Sequence, residues 1–168
     1  MKLSGGVEWA LHCCVVLTSA TEPVPAARLA ELHDVSASYL AKQLQVLSRA
    51  DLVHSVQGKA GGYALTRPPA EITVLDVVTA IDGPQPAFVC TEIRQRGPLA
   101  APPEACTRPC AISRAMATAD AAWRAALQAI SVADLATSVN DDYGTGTMAS
   151  IRTWLSGPAE HAPADSSA

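Results

Sequence analysis

The N-terminal third of the chain carries three short runs of apolar residues at helical spacing. They predict helices over about residues 4–18, 25–33 and 36–50, because positions three and four residues apart share one helix face. Prolines near residue 23 and an Asp-Val-Ser turn at 34–36 separate them. The third helix would bury Leu40, Leu44 and Leu47. Two short helices joined by a tight turn predict a helix-turn-helix.

Two short apolar segments, residues 52–56 and 63–65, flank a glycine-rich stretch at 57–62. Because glycine tolerates positive φ at a hairpin tip, this pattern predicts a β-hairpin. A hairpin directly after the second helix of a helix-turn-helix is typical of a wing. A fourth helix is predicted to begin after Thr73, a good N-cap, and to end at Gly83.

The second half of the chain has a different pattern. Residues 84–109 are rich in proline and predict a loop, and residues 110–130 form an alanine-rich helical pattern with one apolar stripe. So long a stripe exceeds what a small domain can cover by itself, so we expect a dimerisation helix packed against its symmetry mate. A short helix over 132–139 completes a dimerisation region at 110–140. Residues 141–168 predict a mostly disordered acidic tail.

The fold class expected from these elements is mainly α with a small β-hairpin wing: a winged helix-turn-helix over residues 1–83 plus a long dimerisation helix. Apolar residues make up 49% of the 168 residues and aromatic residues only 4%, which favours helices packed through Ala, Val and Leu. No apolar run approaches the ~20 residues that cross a bilayer. We therefore expect a cytoplasmic protein without a membrane partner.

A net charge of −4 argues against nucleic-acid binding, but the charge is unevenly distributed. Residues 1–70 hold six Lys or Arg against five acids, whereas residues 134–168 hold one Arg against five acids. The outer side of the third helix is polar and basic, and Lys59 would lie at the tip of the wing. Both the helix face and the wing tip could contact DNA. For that helix taken alone, a solvated helix face is an equally valid interpretation. The candidate DNA-binding residues are Ser36, Ser38, Tyr39, Lys42, Gln43, Arg49 and Lys59.

Five cysteines in a reducing compartment are not expected to form structural disulfides. Cys13 and Cys14 lie in the apolar first helix and are interpreted as core residues. Cys90, Cys106 and Cys110 are clustered in the proline-rich stretch, which indicates metal or redox chemistry.

The run GKAGGYALTRPPAEITVLDVVTAIDG at residues 58–83 resembles the wing and following helix of the IscR/NsrR family of bacterial winged-helix repressors. The resemblance covers roughly residues 1–139, and the chain is most similar to redox-sensing members from actinobacteria. It implies a homodimer that binds palindromic, double-stranded promoter DNA. It also implies an iron–sulfur cluster whose state sets DNA affinity, so the expected protein is a transcriptional regulator, by its family a repressor, and not an enzyme.

The resemblance also implies a ligand set, although the spacing C-x15-C-x3-C departs from the family's shorter spacing. Cys90 and Cys110 match the first and last family positions, and Cys106 is the reserve ligand. A [2Fe–2S] cluster needs four ligands. Relatives can take an acidic ligand from the partner's first helix, and Glu8 occupies that position here. His33 is the best-placed imidazole, and His12 is the reserve. Residues 84–109 would then be the cluster-binding loop.

Two other functions fit parts of the sequence. One is a cluster-free winged-helix regulator that responds to thiol oxidation or to a small ligand. The other is a small metal-binding or redox enzyme that uses the three clustered cysteines, but the sequence offers no nucleophile–base pair to support it.

Overall fold

The computed structural model describes residues 2–58 and 61–157, so Lys59 at the predicted wing tip lies outside the described residues. The described part contains seven α-helices, three short 3-10 helices and one two-stranded antiparallel sheet. The elements in chain order are α1 (Gly5–Leu17), α2 (Ala26–Leu32), α3 (Ala37–Arg49), β1 (Val53–Val56), β2 (Gly62–Leu65), α4 (Val74–Asp82), α5 (Ala111–Gln128), α6 (Val132–Tyr143) and α7 (Thr147–Ser156). This mainly helical fold with one hairpin is the fold class that the sequence predicts.

The core forms around α1, which packs against α3, α4 and α6. Apolar residues line more than one side of α1, so Ala10, Cys13 and Cys14 are fully buried. The predicted face of α3 is confirmed, because its three leucines are fully buried in the same core. Burying side chains of this size is the main source of stability in a small helical domain.

The hairpin and the fourth helix also follow the sequence prediction. In the hairpin Val53 pairs with Leu65 and Val56 pairs with Gly62. Helix α4 begins with a capping box in which Thr73 and Asp76 satisfy each other's backbone N–H groups. It ends at Gly83, whose φ of 88° is a conformation that side chains with a Cβ rarely adopt.

Helix α5 is the predicted dimerisation helix, and none of its residues is buried within the chain. Trp123 and Leu127 nevertheless pack against a small cluster of Val7, Val74 and Val78. The expectation that the whole apolar stripe lacks a partner in its own chain is therefore wrong for this C-terminal half. The N-terminal half differs, because Ile112 there is 67% exposed.

The C-terminal region is more ordered than the sequence predicts. Helix α6 extends to Tyr143, and α7 occupies residues for which we expected a disordered tail. The cause is long-range packing, since Met148 is buried in the main core and its backbone N–H donates to the side-chain oxygen of Asn140. Arg28 of α2 also stacks on the Trp154 ring, 3.7 Å from its centroid. Residues 158–168 lie outside the described residues.

Among the described residues, no helix combines the length and the apolar character needed to span a membrane.

Candidate functional site

Cys90 and Cys110 lie side by side although twenty residues separate them in the sequence. Their Sγ atoms are 3.8 Å apart. Cys110 is the N-cap of α5, and its sulfur accepts the backbone N–H of Ser113 at 3.3 Å. Cys90 lies in the segment without helix or strand that follows α4. The structure therefore brings together the two thiols that the family resemblance selects.

The two thiols have different electrostatic surroundings. The pKa of Cys110 is lowered, chiefly by the backbone N–H of Ser113, with further contributions from hydrogen bonding to Cys90 and the charge of Arg94. The pKa of Cys90 is raised, because desolvation and the adjacent Cys110 sulfur outweigh the opposing effect of the Glu92 backbone N–H. One member of the pair thus deprotonates more readily than the other.

Arg94 holds the cysteine-bearing loop in place. Its Nε donates to the Glu92 carboxylate at 2.8 Å, and its Nη2 donates to the carbonyl oxygens of Arg108 at 2.6 Å and Cys106 at 3.4 Å. The backbone of Glu92 is in the left-handed region, with a φ of 51°. Its carboxylate also accepts a hydrogen bond from the Cys90 thiol at 3.8 Å. Sequence reasoning missed this role, although a basic residue between clustered cysteines was a usable signal.

Cys106, the reserve ligand, is held differently. It ends a short 3-10 helix over Pro103–Cys106, and its carbonyl oxygen is bound by Arg94. Its half-buried thiol makes no hydrogen bond to either of the paired sulfurs in the described structure. Cys106 thus contributes its backbone to the loop, while Cys90 and Cys110 supply the close sulfur pair.

An apolar cavity of about 440 Å³ adjoins the sulfur pair. Its wall includes Phe88 together with Val89, Ile93 and Ile112, and the last three are 73%, 72% and 67% exposed. Such a concentration of solvent-facing apolar side chains is typical of a surface that another molecule covers. We call residues 84–117, which contain the sulfur pair, the cavity and the exposed start of α5, the cysteine arm.

The other predicted ligands lie on the winged helix. Glu8 is exposed on α1, and His12, four residues later, is on the same side of that helix. The ring centroid of His12 is 5.5 Å from that of His33, and Trp9 also packs against His33 at 6.0 Å. We call Glu8, Trp9, His12 and His33 the histidine patch.

His33 carries an unsatisfied donor or acceptor. Its Nε2 is buried and has no hydrogen-bond partner among the described residues. The pKa of His33 is lowered by burial and by the charge of the nearby His12, which favours the neutral imidazole. A buried polar atom without a partner calls for an explanation, and an unprotonated imidazole nitrogen is a good metal ligand.

These donors suit a mixed iron–sulfur site in kind: two thiols, one imidazole nitrogen and one carboxylate. Their placement in one chain is a separate matter. Across residues 2–58 and 61–157, no three His, Cys, Asp or Glu side chains are grouped closely enough to hold a metal ion. The candidate ligands therefore lie in two places: the two thiols form a candidate sulfur half-site on the cysteine arm, and Glu8 and His33 are candidate oxygen and nitrogen ligands on the histidine patch.

The predicted DNA-binding residues follow the outer side of α3, with one difference. Lys42 and Arg49 are exposed, as are Tyr39 and the hydrogen-bonded pair Ser36 and Ser38, whose hydroxyl oxygens are 2.9 Å apart. Gln43 instead turns towards α1: a Cβ placed on Gly6 would lie 2.7 Å from the Gln43 side-chain oxygen. Gln43 therefore packs between α3 and α1, which the helical spacing alone did not reveal.

Comparison with known proteins places this architecture in a family. A family model described as "Rrf2: Iron-dependent Transcriptional regulator" matches residues 3–138. The HTH-type transcriptional regulator IscR of Klebsiella pneumoniae is 40% identical over 76 residues, which are 45% of this chain and 47% of that protein. IscR of Aliivibrio salmonicida is 38% identical over 92 residues, which are 54% of this chain and 55% of that protein. The chain spans about half the length of the curated relatives it matches.

Solved structures agree with the fold. The structure of CymR (YrzC), the global cysteine regulator of B. subtilis, superposes with a TM-score of 0.65 at 22% identity, covering 82% of this chain and 97% of that one. T. potens IscR superposes with a TM-score of 0.62 at 22% identity, covering 84% and 90%. The matched family and relatives are regulators and not enzymes. Because the family model spans most of its length, this chain belongs to the Rrf2 family of transcriptional regulators.

Proposed function

We propose that this regulator is a homodimeric redox sensor that binds promoter DNA in the cytoplasm under the control of a [2Fe–2S] cluster. Cys90 and Cys110 of one protomer, with Glu8 and His33 of its partner, would hold the cluster. The observation that carries the proposal is the sulfur pair, 3.8 Å apart beside an open apolar cavity. The buried Nε2 of His33 without a partner supports the other half of the ligand set.

The cysteine arm supports the dimer. Its apolar residues, Ile112 among them, are exposed in the single chain, and the histidine patch and the sulfur pair do not form one metal site within it. A two-fold dimer would cover the exposed start of α5 and would allow each sulfur half-site to meet the partner's nitrogen and oxygen half-site.

The chain's own residues suggest how ligand binding reaches DNA. A bound [2Fe–2S] cluster supplies a reversible one-electron change, and non-thiolate ligands raise its potential relative to four thiolates. Glu8 lies two residues from Gly6, which fits closely against Gln43 of α3. A shift of α1 at Glu8 would therefore displace α3, the helix whose outer face carries Lys42 and Arg49.

The experiment is anaerobic purification followed by iron and sulfide analysis and an absorption spectrum. We expect about two irons and two sulfides per chain, the composition of one [2Fe–2S] centre. Cys90→Ala and Cys110→Ala should abolish the iron, whereas the matched variant Cys106→Ala should keep it. Glu8→Ala and His33→Ala should give labile clusters or altered spectra.

Two outcomes would contradict this assignment. Loss of iron in Cys106→Ala together with an intact cluster in Glu8→Ala would indicate an all-cysteine site. A colourless, iron-free protein that still binds its operator specifically would favour the cluster-free regulator, which responds to thiol oxidation or a small ligand.

A further inference from the structure

The sulfur pair has a second chemical capability that needs no metal. A disulfide bond requires the two sulfurs to approach to about 2.05 Å. The Sγ atoms of Cys90 and Cys110 are already within 3.8 Å, so they need to close by about 1.8 Å. Cys90 belongs to a segment without helix or strand, so a small local adjustment can bring its sulfur to Cys110 without unwinding α5.

We propose that in the cluster-free protein a hydroperoxide oxidises Cys90 and Cys110 to a reversible intramolecular disulfide. Both thiols are partly exposed, and they line the open cavity on the cysteine arm, so a small oxidant has access to them. The site is thus a two-electron thiol switch built from the same side chains as the sulfur half-site.

The reaction balances with the hydroperoxide as the only oxidant. One sulfur attacks an oxygen of the hydroperoxide, the O–O bond breaks, an alcohol or water leaves, and that cysteine becomes a sulfenic acid. The second sulfur then attacks the first, the S–O bond breaks, and water leaves. Two thiols lose two electrons and both thiol hydrogens, the peroxide gains the electrons, and a dithiol reductant reverses the change by exchange.

The other three cysteines are less suited to this reaction. Cys13 and Cys14 are fully buried in the core, and burial raises the pKa of each thiol to about 12, which makes them inert. Cys106 is fixed through its carbonyl oxygen to Arg94, and its thiol makes no hydrogen bond to either paired sulfur in the described structure. The geometry therefore singles out one pair among the five thiols.

The disulfide would also control cluster assembly, and this consequence rests on the proposed function. A metal ligand must be a thiolate, so sulfurs joined in a disulfide are unavailable to iron. The oxidised protein would need a reductant before it could take up a cluster. A regulator oxidised by peroxide would therefore stay unable to bind a cluster after the peroxide is gone, until a reductant acts on it.

The test uses the whole 168-residue chain, freed of metal by chelation in the presence of a reductant that is then removed. One equivalent of hydrogen peroxide should reduce the titratable thiols of the denatured protein from five to three. The intact mass should fall by about 2 Da, and peptide mapping should find Cys90 joined to Cys110. A dithiol reductant should restore all five thiols.

Matched variants decide the pairing. Cys106→Ser should oxidise as the wild type does, whereas Cys90→Ser should form no disulfide and should leave a sulfenic acid that dimedone traps on Cys110. A link between two chains, a link to Cys106, or five unchanged thiols would overturn the proposal. Iron analysis separates this result from the proposed function: a cluster that assembles without any disulfide in the metal-free protein refutes only the thiol switch. A disulfide without iron uptake by the reduced protein refutes only the cluster.

Discussion

Apolar side chains are buried in the helices that pack around α1, whereas they are exposed in the cysteine arm. Around α1 the leucines of α3 are fully buried, and even Met148 of the distant α7 joins the core. In the cysteine arm no residue is buried, and Val89, Ile93 and Ile112 face solvent. The first region covers its apolar side chains within one chain, whereas the second leaves them exposed, as surfaces that bind a partner do.

Different interactions hold the two regions together. The core is stabilised by apolar burial, which acts wherever side chains meet. The cysteine arm is held by directed bonds, from Arg94 to loop carbonyl oxygens and from Arg124 to the carbonyl oxygens of Pro84 and Gln85 at 2.9 and 3.2 Å. Bonds of this kind fix the shape of a loop while leaving its apolar side chains free for a partner. In the proposed function the core provides the fold, and the arm would provide assembly and sensing.

The largest effect on stability should come from the core. Leu44→Ala removes a fully buried side chain from α3, and such changes cost about 2–5 kcal/mol because they leave a cavity. Leu99→Ala in the cysteine arm is the matched control, since Leu99 is 95% exposed and its truncation should cost under about 0.5 kcal/mol. Denaturant unfolding at one fixed protein concentration measures both. Equal losses would mean that the contrast between the two regions is wrong.

The next effect should fall on assembly. Ile112→Asp places a charge on the exposed apolar start of α5, and we expect the dimer dissociation constant to rise about 100-fold or more, because burying an unpaired charge is unfavourable. Thr118→Asp, at another exposed position of α5, is the control and should change little. Sedimentation at several concentrations reads out the result. Leu127 is a poorer choice for this test, because it packs within its own chain.

The sequence was sufficient to predict those elements whose local residue pattern matches their packing in the fold. Leucine spacing identified α3, the glycine-rich run identified the hairpin, and Thr73 and Gly83 bounded α4. Each of these signals acts within a few residues, so the chain displays it directly.

The sequence was insufficient where a residue's role depends on distant partners. Helix α7 has apolar residues at helical spacing, but only its packing on the α1 core distinguishes it from a tail. Arg94 resembles a surface charge until the loop folds and brings the carbonyl oxygen of Arg108 to it. Gln43 belongs to a polar helix face by spacing, yet the proximity of Gly6 turns it towards α1.

A smaller effect should distinguish the two neighbours on α3. Lys42→Ala should weaken operator binding and reduce the slope of log K against log salt by about one unit, because it removes one phosphate contact. Gln43→Ala should leave that slope unchanged, since Gln43 is uncharged and lies against Gly6. Binding titrations at several salt concentrations measure both slopes. The same slope in Lys42→Ala as in the wild type would remove Lys42 from the DNA interface.

The central claim is that two incomplete half-sites on different chains make one metal centre, and a mixed dimer tests it most directly. One protomer carries Cys90→Ala with Cys110→Ala, and its partner carries Glu8→Ala with His33→Ala. Each homodimer alone should lack a stable cluster. If the ligands come from opposite chains, the mixed dimer keeps one complete site, and we expect about two irons per dimer. If all ligands come from one chain, neither protomer has a complete set, and a mixed dimer without iron would contradict the account.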